Sequence, residues 1–247
     1  MVRKLVIIPT YDERENVLDM VDAVLDQGAD IDLLIVDDAS PDGTAEVVRE
    51  RMASAGDRLH LLERRGKLGL GTAYIAGFRF ALDHGYDLVC EMDCDFSHDP
   101  NDLNRLFDAC TDGADVAIGS RYVRGGGFRD WPLHRSILST GASLYVQLVT
   151  WMGVRDATAG FVCYRRSVLE TLDLDAIHFI GYAFQIEMKL KAKANGFTLR
   201  EVPIVFRDRT RGTSKMSKGI ISEAIFGVLK LQWQRMTRRD FGRRTNG

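Results

Sequence analysis

The fold is decided by the stretch Leu33-Leu34-Ile35-Val36-Asp37-Asp38-Ala39-Ser40-Pro41-Asp42-Gly43-Thr44. Its apolar half is typical of a buried strand, and its polar half predicts a turn that leads into a helix. Ser40 or Asp42 can cap that helix, and Pro41 suits its first turn. A buried strand followed directly by a helix is the repeating unit of parallel α/β sheets, so the stretch predicts this fold class.

Two further stretches repeat the pattern of an apolar strand that ends in acidic residues. The first is Val6-Ile7-Ile8-Pro9-Thr10-Tyr11-Asp12-Glu13-Arg14-Glu15-Asn16, and the second is Glu91-Met92-Asp93-Cys94-Asp95-Phe96-Ser97-His98-Asp99-Pro100. Because ligands of open α/β sheets bind outside the carboxyl ends of the strands, we expect the polar side chains there to form a site. These side chains are Tyr11, Glu13, Asp38, Asp93 and Asp95.

The two aspartates of the second stretch are candidate metal ligands. On an extended strand, side chains at positions i and i+2 point the same way, so Asp93 and Asp95 can aim two carboxylates at one spot. Carboxylate oxygens suit Mg²⁺ or Mn²⁺, which take further ligands from water and from substrate phosphates. A nucleotide diphosphate is therefore the first ligand to consider. A solvated strand end is the alternative for this pair taken alone, since acidic residues commonly finish strands.

The pattern along the rest of the chain predicts a single α/β domain over residues 1–247. Short apolar runs alternate with helical periodicity, and we see no linker, repeat or low-complexity block. Strands are predicted near 4–8, 32–37, 59–63, 86–92, 115–119, 158–164 and 198–206. Helices are predicted near 14–26, 43–54, 70–84, 100–110, 136–152, 182–194 and 217–237.

Composition and charge restrict the class of protein further. The four cysteines contain no Cys-x-x-Cys pair, so we expect reduced thiols and no zinc site. Strand pattern begins by Leu5, so we expect no signal peptide. Net charge is −2, yet residues 207–247 hold 11 Lys or Arg against 3 Asp or Glu. Such a basic segment can bind nucleic acid, acidic lipid or a substrate phosphate, or can simply be a solvated helix face.

The glycine-rich segment Gly66-Lys67-Leu68-Gly69-Leu70-Gly71-Thr72-Ala73 is a weak match to a dinucleotide-binding loop. A Rossmann fingerprint needs a third small residue after G-x-G-x-x and a direct turn from strand to helix. Tyr74 stands at that position, so NAD binding is disfavoured. We expect the glycines to let a helix begin close to a diphosphate or sugar. A nucleotidyltransferase would carry a glycine-rich loop after its first strand, where this chain has Pro9-Thr10-Tyr11.

The chain resembles glycosyltransferase family 2, the inverting enzymes with a GT-A fold, and within it the dolichol-phosphate or polyprenol-phosphate mannose synthases. Eight blocks carry the resemblance in family order over almost the whole chain: PTYDERENV, VDDASPDGT, KLGLGTAYIAGF, EMDCDFSHDP, GSRYVRGG, RSILSTGA, GYAFQIEM and VPIVFRDRTRGTSKM. The last two blocks separate this subgroup from sugar-polymerising relatives. The resemblance implies a GT-A domain with a mostly parallel central sheet flanked by helices.

The resemblance also implies which residues bind the donor. The nucleotide pocket would be formed by Pro9, Tyr11, Glu13, Val36 and Asp38. The diphosphate and a Mg²⁺ or Mn²⁺ ion would lie at Asp93, Cys94 and Asp95. Relatives often have Gln two residues after the second aspartate as a further metal ligand, and this chain has Ser97 there.

Cationic residues in the second half of the chain suit a phosphate acceptor. A lipid phosphate is already an anionic nucleophile at neutral pH, so the enzyme needs cations to align it rather than a general base. By resemblance, Arg121 contacts the donor phosphate or sugar, while Arg135 and Ser139 hold the acceptor phosphate. Residues of a mobile basic loop near 207–218 would close over the donor diphosphate, with Arg209 and Lys215 at the binding positions.

These implications give a specific expectation for activity. We expect mannose transfer from GDP-mannose to a polyprenyl or dolichyl monophosphate, with release of GDP, and no nucleic-acid partner. A polyprenyl-phosphate glucose synthase that uses UDP-glucose is the runner-up, because nothing in the sequence reads the configuration at C2 of the sugar. A non-enzymatic nucleotide-sugar-binding regulator is disfavoured because the acceptor residues are all present.

Two segments predict how the chain meets a membrane. Residues 136–154 are uncharged but too polar for a span, and Trp151 suits an interface. Residues 217–237 predict an amphipathic helix with Trp233, followed by a basic run, as in helices that lie in a membrane interface. Many relatives carry C-terminal transmembrane helices, and this sequence shows none. We expect peripheral binding at the cytoplasmic face of a membrane, or a separate membrane subunit that anchors the chain.

Overall fold

The computed structural model describes residues 2–129, 133–181, 183–208, 218–237, 241 and 243, with main chain alone for residues 133–137 and 218–226. Its strands are β1 (Lys4–Thr10), β2 (Ile31–Asp37), β3 (Leu59–Glu63), β4 (Leu88–Glu91), β5 (Val116–Ser120), β6 (Gly127–Arg129), β7 (Val162–Arg165), β8 (Leu199–Pro203) and β9 (Val205–Arg207). Its helices are α1 (Val17–Leu25), α2 (Thr44–Ala55), α3 (Leu70–Asp83), α4 (Leu103–Thr111), α5 (Leu133–Thr150), α6 (Arg166–Thr171), α7 (Ala183–Ala194) and α8 (Lys218–Thr237).

Seven of these strands form one sheet in the order β3-β2-β1-β4-β7-β5-β8. The strands β3, β2, β1 and β4 are parallel, β5 is parallel to β8, and β7 is antiparallel to both of its neighbours. The prediction of a mostly parallel sheet is confirmed. Strands β6 and β9 pair in a separate small parallel sheet.

Alternate residues of the central strands supply two cores, one on each face of the sheet. On β1, Leu5 and Ile7 pack with residues of α3, α5, α7 and α8, while Val6 and Ile8 pack with residues of α1 and α4. Both faces are covered, which is why the central strands read as continuous apolar runs. The carboxyl ends of β1, β2 and β4 lie side by side, as predicted.

Three strand predictions are wrong in detail. The strand predicted at 158–164 is Val162–Arg165, because residues 155–160 are used in side-chain contacts described below. The strand predicted at 198–206 is two strands, β8 in the main sheet and β9 in the small one. The strand predicted at 86–92 ends at Glu91, so Asp93 and Asp95 follow it rather than belong to it.

The prediction for the start of α2 is also wrong. The helix begins at Thr44, with Gly43 as its N-cap at φ +83° and no side-chain cap bond, so Pro41 lies outside its first turn. Asp42 Oδ1 instead accepts hydrogen bonds from Thr44 N at 3.0 Å and from Thr44 Oγ1 at 2.6 Å. The left-handed conformation at Gly43 is one that glycine adopts without a steric cost.

Helices α5 and α8 contact each other and carry the exposed apolar side chains of this end of the molecule. Helix α8 buries Val228 and Leu231 in the core, and Arg235 Nη1 donates to Thr150 O at the end of α5 at 2.7 Å. Among the described residues, each helix is too short or too polar to cross a bilayer.

Close packing of α3 on β1 gives a test of the core. A Cβ added at Gly77 would lie 2.6 Å from Ile7 Cγ2, on a buried strand that cannot move aside. We expect Gly77→Ala to lower the free energy of unfolding by about 1–3 kcal/mol through overpacking. Chemical denaturation measures this change.

The matched control is Gly141→Ala in α5, where no atom of the described residues outside the neighbouring helix backbone lies within 4 Å of the added Cβ. There the better helix propensity of alanine should stabilise the protein by up to about 1 kcal/mol. Equal effects at the two glycines would contradict the close contact between α3 and β1.

Candidate functional site

The loops that follow β1 and β2 are bound to each other at the carboxyl edge of the sheet. Backbone N–H groups of the first loop donate to side chains of the second. The three bonds run from Asp12 N to Ser40 Oγ at 3.2 Å, from Glu13 N to Thr44 Oγ1 at 3.1 Å and from Arg14 N to Asp42 Oδ2 at 3.0 Å. Ser40, Asp42 and Thr44 therefore hold the loop after β1 in place, and the two loops together form one wall of the predicted nucleotide site.

Asp37 and Asp38 differ in their partners. Asp37 Oδ1 accepts from Thr10 Oγ1 at 2.9 Å and from Ser40 Oγ at 2.6 Å, so its carboxylate is used within the loops. Asp38 is 6% exposed and lies beside Arg64, whose Nε is 3.2 Å from Asp38 Oδ1 without hydrogen-bond geometry. Burial raises the pKa of Asp38, and the charge of Arg64 opposes this shift.

Asp38 and Arg64 each have a buried polar atom that makes no hydrogen bond among the described residues. Within the described residues, Asp38 Oδ1 and Arg64 Nη1 make no hydrogen bond. Arg64 Nη2 donates to Thr72 Oγ1 at 2.8 Å, which ties the pair to α3. Buried polar atoms without partners are rare in native proteins, so this pair has the chemistry of a ligand-binding position.

Tyr11 and Glu13 lie at the same edge. The ammonium of Lys67 is 4.2 Å from the centroid of the Tyr11 ring, within cation–π range. Glu13 Oε2 accepts from Asn16 Nδ2 at 2.9 Å, which orients its carboxylate at the start of α1. Pro9 and Val36 pair with each other in the register of β1 and β2 just below these loops. The structure therefore brings together all five residues predicted for the nucleotide pocket.

The acidic pair does not lie on an extended strand, so the i and i+2 argument for its geometry is wrong. Phe96 has φ +60°, which bends the chain directly after Asp95. The bend is closed by a hydrogen bond from Ser97 N to Asp95 Oδ1 at 3.1 Å. Asp93 N donates to His98 Nδ1 at 3.3 Å. Both carboxylates thus belong to a compact turn at the end of β4.

His98 supports this turn as a neutral side chain. It is buried against Phe161, with ring centroids 5.0 Å apart, and burial lowers the pKa of His98 to about 4. Its Nδ1 accepts from the main chain of Asp93, so a proton cannot occupy the same nitrogen. Its distance of 3.8 Å from Asp93 Oδ2 is therefore a dipolar contact and no ion pair.

The donor set of the turn fits a hard divalent ion. The side chain of Asp93 is 38% exposed, and Ser97 Oγ is buried without a hydrogen-bond partner among the described residues. In the part of the chain that the structure describes, no three His, Cys, Asp or Glu side chains are grouped to hold a metal. This set suits an ion that takes most of its ligands from water and a diphosphate, as Mg²⁺ does. Cys94 lies between the two aspartates in the sequence. Its side chain is buried and belongs to the core on the α1 and α4 face of the sheet.

Arg121 is held by a buried carboxylate that sequence reasoning missed. Asp156 is 0% exposed and accepts from Arg121 N at 2.9 Å, Nε at 2.7 Å and Nη2 at 2.7 Å. The guanidinium also lies between 5.4 and 5.6 Å from the centroids of three aromatic rings, those of Tyr122, Phe128 and Phe206. Charge-assisted bidentate bonds and aromatic contacts both restrict its orientation.

Asp156 is itself fixed by β8. Glu201 Oε1 accepts from Asp156 N at 2.9 Å and from Ser120 Oγ at 2.7 Å, and Glu201 Oε2 accepts from Arg155 N at 2.9 Å. One carboxylate therefore joins the end of β5 to the segment that carries Asp156. Sequence offered no signal for either residue, because the partners are 35 and 81 residues apart.

A buried polar network on α7 contacts both the strand before the acidic turn and the segment that follows Asp156. Gln185 Nε2 donates to Glu91 Oε2 at 2.7 Å, and the ammonium of Lys189 donates to Ala159 O at 2.6 Å and Ala157 O at 3.2 Å. Glu91 and Lys189 are both 0% exposed. Burial raises the pKa of Glu91 to about 8 and lowers the pKa of Lys189 to about 8.

Ser139, one of the two predicted acceptor residues, lies next to Tyr122, the residue that follows Arg121. Its Oγ accepts a hydrogen bond from Tyr122 Oη at 2.7 Å. Arg135 lies one helical turn earlier in α5, and its side chain is outside the described residues. Arg209 and Lys215 also lie outside them, together with most of the predicted mobile loop.

The glycine-rich segment packs closely against the rest of the protein, and its predicted approach to a diphosphate or sugar stays a prediction. Gly69 has φ +101° as the N-cap of α3. A Cβ at Gly71 would lie 2.8 Å from Phe179 O, and Gly71 N donates to Ile180 O at 2.8 Å. The close approach that requires glycine here is therefore to the segment before α7.

Comparison of the sequence with models of known protein families identifies one family whose model includes the strands and residues of this site. The model of the family "Glycosyl transferase family 2" matches residues 5–173, which include β1, β2, β4, Arg121, Ser139 and Asp156. The chain belongs to glycosyl transferase family 2. The family predicted from the eight sequence blocks is confirmed.

Two relatives are similar over most of their length. The chain is 49% identical to polyprenol monophosphomannose synthase of Mycolicibacterium smegmatis over 92% of this chain and 85% of that protein. It is 45% identical to undecaprenyl-phosphate mannosyltransferase of Micrococcus luteus over 92% of this chain and 93% of that protein.

A solved structure agrees on the fold. Glucosyl-3-phosphoglycerate synthase of Mycobacterium tuberculosis, in complex with Mn²⁺ and UDP-glucose, has a TM-score of 0.65 at 16% identity. The alignment covers 100% of this chain and 81% of that one. The prediction of a GT-A glycosyltransferase fold is confirmed.

Glu91 gives a prediction for pH dependence. Between its ordinary pKa of 4.5 and about 8, the native protein keeps the Glu91 proton that the unfolded chain releases. The free energy of unfolding therefore falls as pH rises through this range. Glu91→Gln removes the titration, so we expect the variant to gain stability relative to wild type between roughly pH 5 and pH 8, by a few kcal/mol at most.

Urea denaturation at a series of pH values measures this difference. Glu50→Gln, at an exposed position of α2, controls for the loss of a carboxylate. A difference between Glu91→Gln and wild type that stays constant with pH would show that Glu91 does not titrate in this way.

Proposed function

We propose that this chain transfers mannose from GDP-mannose to a polyprenyl or dolichyl monophosphate, with inversion at the anomeric carbon and release of GDP. The observation that carries the proposal is the 49% identity, over 92% of the chain, to a polyprenol monophosphomannose synthase. The second relative also acts on a polyprenyl phosphate, undecaprenyl phosphate, by its name. Both names specify mannose, which disfavours the runner-up, a glucose synthase that uses UDP-glucose.

The donor would bind at the carboxyl edge of β1, β2 and β4. Guanine offers adjacent N–H groups to a carboxylate, and Asp38 Oδ1 is buried and makes no hydrogen bond among the described residues. Arg64 beside it offers a donor to a carbonyl oxygen of the base. The remaining pocket residues would be Pro9, Tyr11, Glu13 and Val36, and Arg121 would face the donor phosphate or sugar.

Asp93, Asp95 and Ser97 would hold the metal, Mg²⁺ or Mn²⁺. The bound ion would offset the negative charge that develops on the departing nucleoside diphosphate. Arg209 and Lys215 of the basic segment predicted from the sequence would add positive charge, and Cys94 would support the turn from the core side.

The acceptor side needs no general base, because the attacking oxygen belongs to a phosphate that is already ionised. Its requirement is alignment. Ser139 and Arg135 would fix the phosphate, since they are spaced one helical turn apart on α5 and Ser139 lies beside the Arg121 cluster.

Donor profiling tests the proposed function. Purified protein is incubated with a polyprenyl phosphate and, in parallel, with GDP-mannose, UDP-glucose and UDP-galactose. We expect a mannosyl lipid phosphate from GDP-mannose and little product from the other donors. Preferred transfer from UDP-glucose would replace the proposal with the runner-up, and donor binding without any transfer would indicate a regulator.

Asp95 provides a test of the metal site. We expect Asp95→Ala to lower the transfer rate by roughly 100-fold or more, because the loss of charge stabilisation at a metal amounts to several kcal/mol. The free energy of unfolding should fall only by the contribution of one half-buried hydrogen bond, that from Ser97 N to Asp95 Oδ1, which is about 1 kcal/mol. Asp83→Ala, at the exposed end of α3, is the control. Full activity of Asp95→Ala in Mg²⁺ and in Mn²⁺ would remove Asp95 from the site.

We further propose that the exposed face of α5 and α8 binds the cytoplasmic surface of a membrane. The apolar side chains of this face, together with Trp151 directly after α5, are 49–82% exposed: Leu138, Leu144, Leu148, Trp151, Leu229, Trp233 and Met236. Trp151 and Trp233 are side chains that favour the interface, and Lys230 supplies charge for acidic lipid. Because α8 also buries Val228 and Leu231, deletion of the helix would disturb the core, so substitutions are the better test.

We expect the protein to sediment with anionic vesicles at low salt and to be released as salt rises, since each basic residue contributes about 1 kcal/mol at such a surface. Trp233→Ser combined with Met236→Ser should weaken sedimentation and transfer to a long-chain acceptor, while donor binding persists. Val2→Ser, which removes an exposed apolar side chain outside this face, is the control. Failure of the wild-type protein to sediment at low salt would favour a separate anchoring subunit.

A further inference from the structure

Tyr122 is a side chain to which neither the proposed donor site nor the proposed acceptor site gives a role. It follows Arg121 directly, and its hydroxyl reaches across to α5, where it donates to Ser139 Oγ at 2.7 Å. Both side chains are half-buried. The contact joins two residues 17 positions apart, so it belongs to the tertiary structure of the site.

The Tyr122 ring is held so that its hydroxyl cannot easily point elsewhere. Phe128 packs edge-on against it, with ring centroids 5.7 Å apart and planes at 60°. The Arg121 guanidinium lies 5.4 Å from its centroid. Tyr122 N donates to Ser120 Oγ at 3.3 Å, which fixes the main chain at the same point. An aromatic side chain restrained on both ring and backbone is a rigid donor.

The direction of the hydrogen bond decides what Ser139 can do. A serine hydroxyl has one proton and two acceptor lone pairs. Because Ser139 Oγ accepts from Tyr122, its own proton is left to donate, and within the described residues it makes no other hydrogen bond. A hydroxyl that accepts one hydrogen bond becomes a stronger donor in the next, so this arrangement favours an anionic oxygen as its partner.

A second contact of α5 keeps Ser139 in this orientation. Ser143 lies one turn after Ser139, and its Oγ is 3.5 Å from Thr158 Oγ1. Thr158 in turn accepts from Arg121 Nη2 at 2.9 Å. One row of α5 is therefore attached at two points to the cluster around Arg121, so rotation of the helix about its axis is restricted.

We propose that Tyr122 is a positioning residue for the acceptor phosphate, which it orients through the hydroxyl of Ser139. The inference rests on the proposed function, because it takes the ligand of Ser139 to be the phosphate of the lipid acceptor. Tyr122 does not itself touch that phosphate. Its hydroxyl sets the direction in which Ser139 donates, and its ring sets the distance between Arg121 and α5.

A double-mutant cycle tests this inference with four proteins: wild type, Tyr122→Phe, Ser139→Ala and the double variant. Phenylalanine keeps the ring and removes only the hydroxyl. The measurements are KM and kcat for a short water-soluble prenyl phosphate, Kd for GDP by calorimetry, and the unfolding midpoint. We expect Tyr122→Phe to raise KM for the acceptor roughly fivefold to tenfold, as the loss of one hydrogen bond should.

The decisive comparison is between Ser139→Ala and the double variant. If Tyr122 acts through Ser139, its hydroxyl has no further effect once Ser139 is gone, and the two proteins should have the same KM. An additional increase in the double variant would mean that Tyr122 acts independently, and would overturn the inference. So would an unchanged KM in Tyr122→Phe or in Ser139→Ala.

A purely structural role would give a different result. It would lower the unfolding midpoint and weaken GDP binding together with acceptor use, whereas positioning affects the acceptor alone. Tyr164→Phe is the matched control, because its buried hydroxyl has no hydrogen-bond partner among the described residues, and the variant should behave as wild type. The proposed function itself fails separately, if wild-type protein transfers no mannose to the prenyl phosphate.

Discussion

The buried ammonium of Lys189 donates to the carbonyl oxygens of Ala157 and Ala159, and these bonds fix the segment that presents Asp156 to Arg121. Desolvation of an ammonium is expensive unless its protons are all used. Here four oxygens within 3.3 Å compete for three protons, two of them from Gln185. Lys189 of α7 therefore holds the segment that follows Asp156, while Glu201 of β8 holds the main chain of Asp156 itself.

The same network reaches the acidic turn from the other side. Gln185 bonds to Glu91, the last residue of β4, and the turn with Asp93 and Asp95 begins two residues later. The position of that turn and the position of Arg121 thus depend on adjacent turns of α7. Helix α7 therefore contributes to the distance between the acidic turn and Arg121. A substrate that spans both would bind to groups held at a fixed distance, as catalysis by alignment requires.

Backbone strain is concentrated at the same edge of the sheet. Each of the loops after β1, β2 and β4 holds one non-glycine residue in the left-handed region, namely Asp12, Ala39 and Phe96. Each conformation costs on the order of 1 kcal/mol, and side-chain bonds such as that from Asp12 N to Ser40 Oγ offset it. In the loops after β1 and β2, the bonds between the two loops hold the main chain, while Asp38 Oδ1 makes no hydrogen bond among the described residues.

The sequence predicted the parts of the molecule that depend on local pattern. Buried strands that end in carboxylates locate β1, β2 and β4 and the edge where their side chains meet. The antiparallel direction of β7 and the small sheet of β6 and β9 depend on long-range pairing of very short strands, which leaves no periodicity to read. The pairs Asp38 with Arg64 and Arg121 with Asp156 are likewise tertiary contacts, so sequence identified one member of each pair and missed the other.

Helix α5 has one face toward the cluster around Arg121 and another face that is apolar and exposed. Ser139 and Ser143 lie one turn apart and face the Arg121 cluster, whereas Leu144 and Leu148 lie one turn apart and are exposed. Leu144 is five positions after Ser139, which corresponds to about 140° around the helix axis at 3.6 residues per turn. Under the proposed function, one side of α5 would touch lipid while another holds the lipid's phosphate. The distance between the membrane surface and the reacting carbon would then be set by the width of a single helix, so the acceptor could react without leaving the bilayer.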